Sequence, residues 1–296
     1  MAKLQKIKTK LSIHSKKRSV LMLEGEYVSA LKGKSLDFDD LREYTYGDDV
    51  RDIDWRASAK QQNPLVKRYV ANRRHNVLFV IDSSITMQGA APDYQAKYEL
   101  ASEVVGVLGY IAVKHNDSVG MMTVTDSVVE SLPYMGGEKH LNRILDTIDT
   151  VIRNSLTTIN VEELLKKAYL SSRNRTIMVI IADEVTPSSE LEDLIKKMQH
   201  RHDVLWVSIA DINPVTIPKN FDVFDVADII TIPEGLRADS HLTQQMSVDE
   251  QIRKAHLQDF LKRLNVSNSL ISNSEEVIPS LLTLLKRRER EQRNRS

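Results

Sequence analysis

The chain of 296 residues contains no cysteine. Disulfides and thiolate metal or redox sites are therefore excluded, and this composition fits a reducing compartment such as the cytoplasm. Long apolar runs are also lacking, because no stretch approaches the roughly 20 apolar residues that a membrane-spanning helix needs. The N-terminal stretch MAKLQKIKTKLSIHSKK lacks the apolar centre of a secretory signal. We therefore expect a cytoplasmic protein without a membrane span.

Common catalytic signatures are missing as well. The chain has no GxxxxGK[ST] phosphate loop and no GxSxG nucleophile elbow. The eight histidines show no HExxH motif or other metal-ligand spacing, so we interpret them as surface or satisfied core residues. No complete set of catalytic residues predicts an enzyme, and ATP hydrolysis by this chain is not expected.

The overall charge is balanced, with 41 basic and 41 acidic residues. Both ends are nonetheless basic: residues 1–20 carry seven Lys or Arg and no acid, and the chain ends in KRREREQRNRS. Such runs bind nucleic acid or anionic lipid in some proteins, but solvated tails are commoner. Because no base-stacking aromatic residues accompany them, we interpret these runs as solvated tails and expect no nucleic-acid partner.

From residue 77 onward, apolar runs alternate with amphipathic stretches, which predicts an α/β fold with a mainly parallel sheet flanked by helices. A short turn separates the second and third predicted strands and leaves no room for a crossover, so these two form an antiparallel hairpin at a sheet edge. The predicted strands are 77–82, 118–124, 127–132, 176–182, 203–209 and 228–232. The predicted helices are 94–115, 138–152, 160–171, 188–200, 244–264 and 275–291.

These elements predict three parts of the chain. Residues 77–235 form the sheet domain, and residues 236–296 supply C-terminal helices and a basic tail. Residues 1–76 contain too few apolar residues for a core of their own, so we expect this segment to pack on the sheet domain. Its anchors would be aromatic side chains, namely Phe38, Tyr44, Tyr46 and Trp55.

The first predicted strand ends in an unusual way: the apolar run VLFVI is followed directly by Asp82 and hydroxyl residues. Ligands of parallel α/β sheets bind beyond the carboxyl ends of the strands. Asp82, Ser84 and Thr86 are spaced two residues apart, so an extended turn places their side chains on one side and those of Ser83 and Ile85 on the other. One carboxylate and two hydroxyls are oxygen ligands suited to Mg²⁺ or Mn²⁺.

Two later stretches add oxygen donors. Thr157 and Thr158 stand before a predicted helix, where Thr158 has an alternative explanation as the helix N-cap. The apolar run IMVIIA is followed by Asp183 and Glu184, which makes it a second strand that ends in a carboxylate. By itself, the DxSxT pattern is explained equally well by a helix cap or an Asx turn.

The order of these elements resembles the metal-ion-dependent adhesion site (MIDAS) of von Willebrand factor A-like domains: strand-DxSxT, then a threonine before a helix, then strand-Asp. The resemblance implies a von Willebrand factor A-type sheet with one bound Mg²⁺ or Mn²⁺. Its ligand positions here are Asp82, Ser84, Thr86, Thr158 and Asp183, with Thr157 as the other candidate for the middle threonine. The chain departs from the pattern at Thr86, where serine is usual, and at Ile85, where a polar residue is usual.

Residues 38–69 resemble the signature of the bacterial domain-of-unknown-function family 58, which precedes such an A-like domain. The matching positions are Leu41, Arg42, Tyr44, Gly47, Asp48, Asp49, Arg51, Ile53, Asp54, Trp55, Ala57, Ala59 and Lys67. Together the two resemblances cover roughly residues 20–232. They imply a metal-dependent protein-binding module that acts with a MoxR-type AAA+ ATPase in chaperone-like assembly or regulation. The basic stretch YVANRRHNV departs from the more acidic stretch that is common in the family.

The signature also has a physical interpretation. Its arginines and aspartates can form a half-buried ion-pair network, with Trp55 as the apolar anchor. A structural clamp and a partner-binding surface explain the alternating charges equally well. The signature residues proposed for either role are Arg42, Tyr44, Asp48, Asp49, Arg51, Asp54 and Trp55.

Two other functions remain as alternatives. Asp82 followed by Thr86 resembles the DxDxT motif of Mg²⁺-dependent haloacid-dehalogenase phosphatases, with Asp183 and Glu184 as the later acidic pair. Ser84 argues against this function, because it stands where the acid/base aspartate is required and cannot transfer that proton near neutral pH. The other alternative is a scaffold whose metal site has decayed.

Overall fold

The computed structural model describes residues 2–15, 19–32, 37–50, 53–61, 63–70, 74–125, 128–156, 158, 160–183, 185–213, 217, 224–225, 230–231 and 240–293. The chain divides into two compact units, one of residues 1–31 and 75–296 and the other of residues 32–74. The predicted segment 1–76 is therefore divided between the two units, because its first part belongs with the sheet.

The strands, in chain order, are β1 (Asp37–Glu43), β2 (Leu65–Val70), β3 (Asn76–Ile81), β4 (Ser118–Thr125), β5 (Val128–Met135), β6 (Ile177–Ala182), β7 (Asp203–Ile209), β8 (Phe224–Asp225), β9 (Ile230–Thr231) and β10 (Ser267–Ile271). The α-helices are α1 (Ala2–Ser15), α2 (Ser19–Tyr27), α3 (Trp55–Gln61), α4 (Lys97–Lys114), α5 (Glu138–Arg153), α6 (Val161–Ser171), α7 (Ser189–Arg201), α8 (Ser240–Arg263) and α9 (Val277–Arg293). Helix α2 continues as a π-helix over Val28–Lys32, and 3₁₀ turns span Ile85–Gln88 and Ser274–Glu276. Among the described residues, no helix combines the length and apolarity needed to span a membrane.

A six-stranded sheet in the order β10-β7-β6-β3-β4-β5 forms the centre of the larger unit. Neighbouring strands are parallel except for β4 and β5, which pair as an antiparallel edge hairpin. The predicted α/β class, the mainly parallel sheet and the edge hairpin are confirmed. The strand order reverses between β3 and β6, because the chain moves outward to β4 and β5 and then returns to the other side of β3.

Helices cover both faces of this sheet. In β3, Val77, Phe79 and Ile81 enter one apolar cluster, which also includes buried residues of α1, α2, α4, α5 and α9. Leu78 and Val80 enter a second cluster with buried residues of α6, α7 and α8. Strand β3 is therefore apolar from residue 77 to its end, as expected for a central strand that is buried on both sides.

The sixth strand of the sheet is not the predicted one. The predicted strand 228–232 contributes Ile230–Thr231, which pairs antiparallel with Phe224–Asp225 in a separate two-stranded hairpin. The sheet instead gains Ser267–Ile271, which runs parallel to β7. The sheet therefore extends beyond the predicted boundary at residue 235. An edge strand needs little apolar surface, and this explains why the polar sequence SNSLI gave a weak strand pattern.

The first basic run is a packed helix and not the solvated tail that we predicted. Three apolar residues of α1, at spacings of three and four, are buried: Leu4, Ile7 and Leu11. Three lysines of the same helix form ion pairs with acids of the sheet unit: Lys3 with Asp149, Lys8 with Glu138 and Lys10 with Glu103. In α4, Gly106 makes room for this helix, because a Cβ atom there would lie 2.1 Å from Cδ1 of Ile7.

Helix α2 is attached through a buried hydrogen bond. The hydroxyl of Tyr27 donates to Asp117 Oδ2 at 2.9 Å, and the backbone N–H of His75 donates to Asp117 Oδ1 at 2.9 Å. Burial raises the pKa of Tyr27, and the Asp117 carboxylate raises it further. The tyrosine therefore remains a neutral donor, and one aspartate joins α2 to the start of β3.

The smaller unit is a hairpin with a short helix. Strands β1 and β2 pair antiparallel, and Ile53 forms a bridge to Val66 before α3 begins. Ile53, Leu65 and Val66 are buried.

The packing of α1 predicts a specific loss of stability. Replacing Ile7 by Ala should lower the free energy of unfolding by about 2 kcal/mol or more, because a buried side chain is truncated beside the notch at Gly106. The matched control is Gln5→Ala on the exposed side of the same helix, which should change stability by less than about 0.5 kcal/mol. Urea denaturation measures both values, and equal effects of the two changes would contradict the observed docking of α1.

Candidate functional site

The carboxyl ends of three parallel strands carry aspartates. Asp82 follows β3 and Asp183 follows β6, so these two residues flank the point where the strand order reverses. Asp211 lies two residues beyond the end of β7, the next strand along the sheet. Crevices at such reversal points are the usual ligand sites of open α/β sheets. The first two aspartates are the predicted ones, whereas Asp211 was not predicted.

Asp82 is almost completely buried, with 3% of its surface exposed. Its Oδ1 atom accepts a hydrogen bond of 2.8 Å from the backbone N–H of Ser84. Burial raises the pKa of Asp82 and the charge of Asp183 adds to this rise, while hydrogen bonds from Ser84 and from the backbone of Asp183 oppose it. A carboxylate in this position favours a nearby cation.

The hydroxyls after β3 point in the two predicted directions. Ser84 Oγ and Thr86 Oγ1 lie 2.7 Å apart in a hydrogen bond, which confirms that these two side chains share one side. Ser83 turns the other way: its hydroxyl donates to the carbonyl of Val124 at 2.9 Å and accepts from Thr123 Oγ1 at 2.6 Å. Ser83 therefore ties the ends of β3 and β4 together, while the hydroxyl of Ser84, which is also buried, is bonded to that of Thr86.

A lysine that we did not predict lies under this edge. Lys97, at the start of α4, has only 1% of its side chain exposed. Its Nζ atom lies 2.6 Å from Asp183 Oδ2 and 3.2 Å from Asp211 Oδ1. Burial alone would lower the pKa of Lys97, but the two carboxylates outweigh that effect and raise the pKa above the ordinary lysine value. The side chain therefore carries a buried positive charge.

The loop before α6, which carries Thr158, is held close to the turn after β3. The side-chain amide of Gln88 donates to the carbonyls of Ile152 and Ser155, at 2.8 and 2.7 Å. Thr158 itself is exposed, and it is not the N-cap of α6. That cap is Asn160, whose side chain accepts from the backbone N–H groups of residues 162 and 163. The alternative explanation of Thr158 as a cap is therefore wrong, and Thr157 and Glu184 lie outside the described residues.

The oxygen donors fit a small divalent cation in type and spacing. Two neighbouring ligands of an octahedral Mg²⁺ lie about 3 Å apart, close to the 2.7 Å between Ser84 Oγ and Thr86 Oγ1. In the part of the chain that the structure describes, no three Asp, Glu or His side chains converge as ligands of one ion. An ion at this edge would therefore depend on the hydroxyls, with Asp82 and Asp183 providing negative charge around them.

The predicted signature residues lie in the smaller unit, where they stabilise local structure. Arg42 Nη2 forms an ion pair of 2.6 Å with Asp48 Oδ1, and Asp48 Oδ2 accepts from the backbone N–H of Thr45 at 2.9 Å. These bonds lower the pKa of Asp48. The backbone N–H of Tyr44 donates to the carbonyl of Pro64 at 2.8 Å. Because 46% of the Arg42 side chain is exposed, this pair contributes little to stability.

The remaining signature residues divide into a helix cap and exposed side chains. Asp54 is the cap: its Oδ1 atom accepts from the backbone N–H groups of Arg56 and Ala57, at 3.1 and 3.0 Å, where α3 begins. Trp55 is not the apolar anchor of the charged segment itself, because its side chain is 66% exposed. Tyr46 is fully exposed. Asp49 is exposed, and Arg51 lies outside the described residues.

The two missed residues had detectable sequence signals. Asp211 follows the apolar run DVLWVSIA, which is the same strand-then-aspartate pattern that identified Asp82 and Asp183. Lys97 occupies the apolar face of α4, four residues before the buried Ala101 and eight before the buried Val105. A lysine at a core position of a helix indicates a buried carboxylate partner.

One protein family matches more than half of the chain. A family described as "Protein of unknown function DUF58" matches residues 40–231. An uncharacterized protein of Mycobacterium bovis and uncharacterized proteins of two Mycobacterium tuberculosis strains are each 24% identical over 238 residues. These alignments cover 78% of this chain and 70% of each relative.

Solved structures with partial similarity include a von Willebrand factor type A protein from Catenulispora acidiphila. That alignment has a TM-score of 0.42 and 9% identity, and it covers 76% of this chain and 44% of the other. An aerotolerance-related membrane protein from Bacteroides fragilis aligns with a TM-score of 0.37 and 16% identity. It covers 64% of this chain and 99% of the other.

The adjacent serines should differ in their effect on stability. Ser83→Ala removes a buried hydroxyl that joins two strand ends, so the free energy of unfolding should fall by about 1–3 kcal/mol. Ser84→Ala removes a hydroxyl that bonds Asp82 and Thr86 within one turn and joins no second strand, so the loss should be smaller, about 1 kcal/mol or less. Urea denaturation in chelator-treated buffer measures both. A larger loss in Ser84→Ala would contradict the assignment of structural and ligand roles.

Proposed function

The chain belongs to the DUF58 family, and we propose that it is a cytoplasmic protein-binding module centred on the carboxyl edge of β3 and β6. One Mg²⁺ or Mn²⁺ ion would be held there by the hydroxyls of Ser84 and Thr86, with Asp82, Thr158 and Asp183 around it. The ion would supply positive charge that attracts a carboxylate of a partner protein. We assign no catalytic step to this site.

The observation that carries this proposal is the hydroxyl pair beside a buried carboxylate. Ser84 Oγ and Thr86 Oγ1 lie 2.7 Å apart, directly after a strand whose next residue, Asp82, is nearly inaccessible to solvent. A buried carboxylate is costly unless a cation or several donors stabilise it. The Ser84 backbone N–H provides one such donor, and a cation at the hydroxyl pair would provide further stabilisation.

Exposed apolar side chains near this edge would extend the contact with a partner. Tyr94, on the loop between β3 and α4, is 63% exposed and has a φ of 64°, which is uncommon for a bulky residue. Leu156 is 82% exposed and follows Ser155, whose carbonyl is bonded to Gln88. Aromatic residues are frequent energetic centres of protein interfaces. A strained, exposed tyrosine on this loop therefore supports a binding function.

The partner that the family resemblance implies is a MoxR-type AAA+ ATPase or one of its clients. Because this chain has no phosphate loop, ATP hydrolysis would be supplied by that partner. The module would then contribute recognition, and the ATPase would contribute the mechanical step of assembly or regulation.

The metal component predicts one-site binding that depends on the edge residues. Calorimetric titration of the metal-free protein with Mg²⁺ and Mn²⁺, into the millimolar range, should show one binding site. Three variants should each weaken this binding at least tenfold: Asp82→Ala, Ser84→Ala and Asp183→Ala. Ser83→Ala, which keeps every proposed ligand, is the matched control and should bind as the wild type does. The absence of binding in the wild type would contradict the metal component and favour the scaffold alternative.

The interaction component predicts that Tyr94 contributes to partner capture. In a pull-down of the MoxR-type ATPase from the same organism, Tyr94→Ala should reduce capture roughly tenfold, because a central aromatic contact is worth more than about 1 kcal/mol. Leu170→Ala, which truncates an exposed side chain on α6, should leave capture unchanged. Equal capture by the Tyr94→Ala protein and the wild type would show that this edge is not the docking centre.

A further inference from the structure

We propose that Lys97 is an internal cation that competes with the divalent ion for Asp183, and that Asp211 is the second position to which its ammonium moves when the ion binds. This inference rests on the proposed metal site and identifies the residue that would set the affinity of that site. It follows from the geometry of three side chains: Lys97, Asp183 and Asp211.

The first step is that Lys97 already neutralises a proposed ligand. Its Nζ atom is 2.6 Å from Asp183 Oδ2, which is the distance of a direct charged hydrogen bond. Because the lysine side chain is 1% exposed and that of Asp183 is 13% exposed, water screens this pair weakly. An arriving cation must therefore overcome the repulsion of a fixed positive charge at the same carboxylate.

The second step is that the ammonium has an alternative acceptor within reach. Asp211 Oδ1 lies 3.2 Å from Nζ, farther than Asp183, and the Asp211 side chain is 50% exposed. Because Nζ already contacts both carboxylates, its bond to Asp211 can shorten as its bond to Asp183 lengthens. Asp211 can therefore stabilise the lysine charge while Asp183 turns toward a metal ion.

The third step is that the protein leaves room for this lysine. A Cβ atom at Gly89 would lie 3.4 Å from Cε and 3.7 Å from Nζ of Lys97, and 3.0 Å from the carbonyl oxygen of Thr86. The backbone N–H of Lys97 also donates to the carbonyl of Gly89 at 2.9 Å. The turn that carries the hydroxyl pair is thus packed directly against the lysine, so metal and lysine would influence the same turn.

The decisive variant is Lys97→Met, which keeps most of the side-chain volume and removes the charge. Its affinity for Mg²⁺, measured by calorimetry, should be at least tenfold tighter than that of the wild type, because the variant removes the Coulombic repulsion between a fixed positive charge and an ion at the same carboxylate. The matched control is Lys114→Met, which removes a carboxylate-paired lysine from the other end of α4, about 25 Å away. That variant should bind Mg²⁺ with unchanged affinity.

A second variant tests the role of Asp211 and does not depend on the folding of Lys97→Met. Asp211→Asn alters a half-exposed side chain and should weaken Mg²⁺ binding, because among the described residues Asp183 is then the one remaining charged acceptor of the lysine. In the Lys97→Met background the same change should have a smaller effect, since no ammonium has to be relocated. Equal effects in both backgrounds would overturn the proposed movement of Lys97.

The outcomes separate this inference from the proposed function. Tighter binding by Lys97→Met than by the wild type supports the competition. Wild-type binding with unchanged or weaker binding by Lys97→Met would overturn the competition and leave the metal site intact. The absence of Mg²⁺ binding in both proteins would overturn the metal site and the competition together, whereas a loss of ATPase capture alone would affect only the proposed partner.

Discussion

The buried ion pair between Lys97 and Asp183 determines how a further cation can bind at the carboxyl edge of the sheet. Three strands that end side by side bring Asp82, Asp183 and Asp211 to one edge, and such carboxylates would repel one another without a cation. Helix α4 supplies that cation from its first turn, beneath the turn that carries Ser84 and Thr86. The resulting site has more carboxylates than cations, and its one lysine contacts two carboxylates at unequal distances, so a second cation can be exchanged for it.

The strands and connections with strong sequence patterns were predicted correctly. Strands β3, β6 and β7 are predominantly apolar, and the short turn before β5 leaves an antiparallel hairpin as the simple connection. Strand β10 was missed because its sequence is polar, and its place in the sheet is determined by pairing with β7. Helix α1 was missed because four lysines stand among its apolar residues, although Leu4, Ile7 and Leu11 had helical spacing. Burial of those residues depends on Gly106, more than ninety positions away.

The candidate site shows the same division between local and distant information. The spacing of Asp82, Ser84 and Thr86 is local information, and the structure has Ser84 and Thr86 on one side, although Ile85–Gln88 form a 3₁₀ turn and not the extended turn that we predicted. The pairing of Lys97 with Asp183 joins residues 86 positions apart, and no motif within either segment contains it. The prediction that Trp55 is buried was also wrong. Whether an aromatic residue in a charged segment is buried depends on tertiary contacts, and the local sequence does not show these contacts.

The central claim is that a divalent ion bound at the hydroxyl pair replaces the Lys97 ammonium as the cation beside Asp183. Anomalous diffraction from crystals of the wild-type protein soaked in Mn²⁺ tests it most directly. The account predicts one Mn²⁺ peak within bonding distance of Ser84 Oγ and Thr86 Oγ1, with Lys97 Nζ displaced from Asp183 toward Asp211. Saturating Mn²⁺ that produces no peak at the hydroxyl pair, with Lys97 still bonded to Asp183, would contradict it.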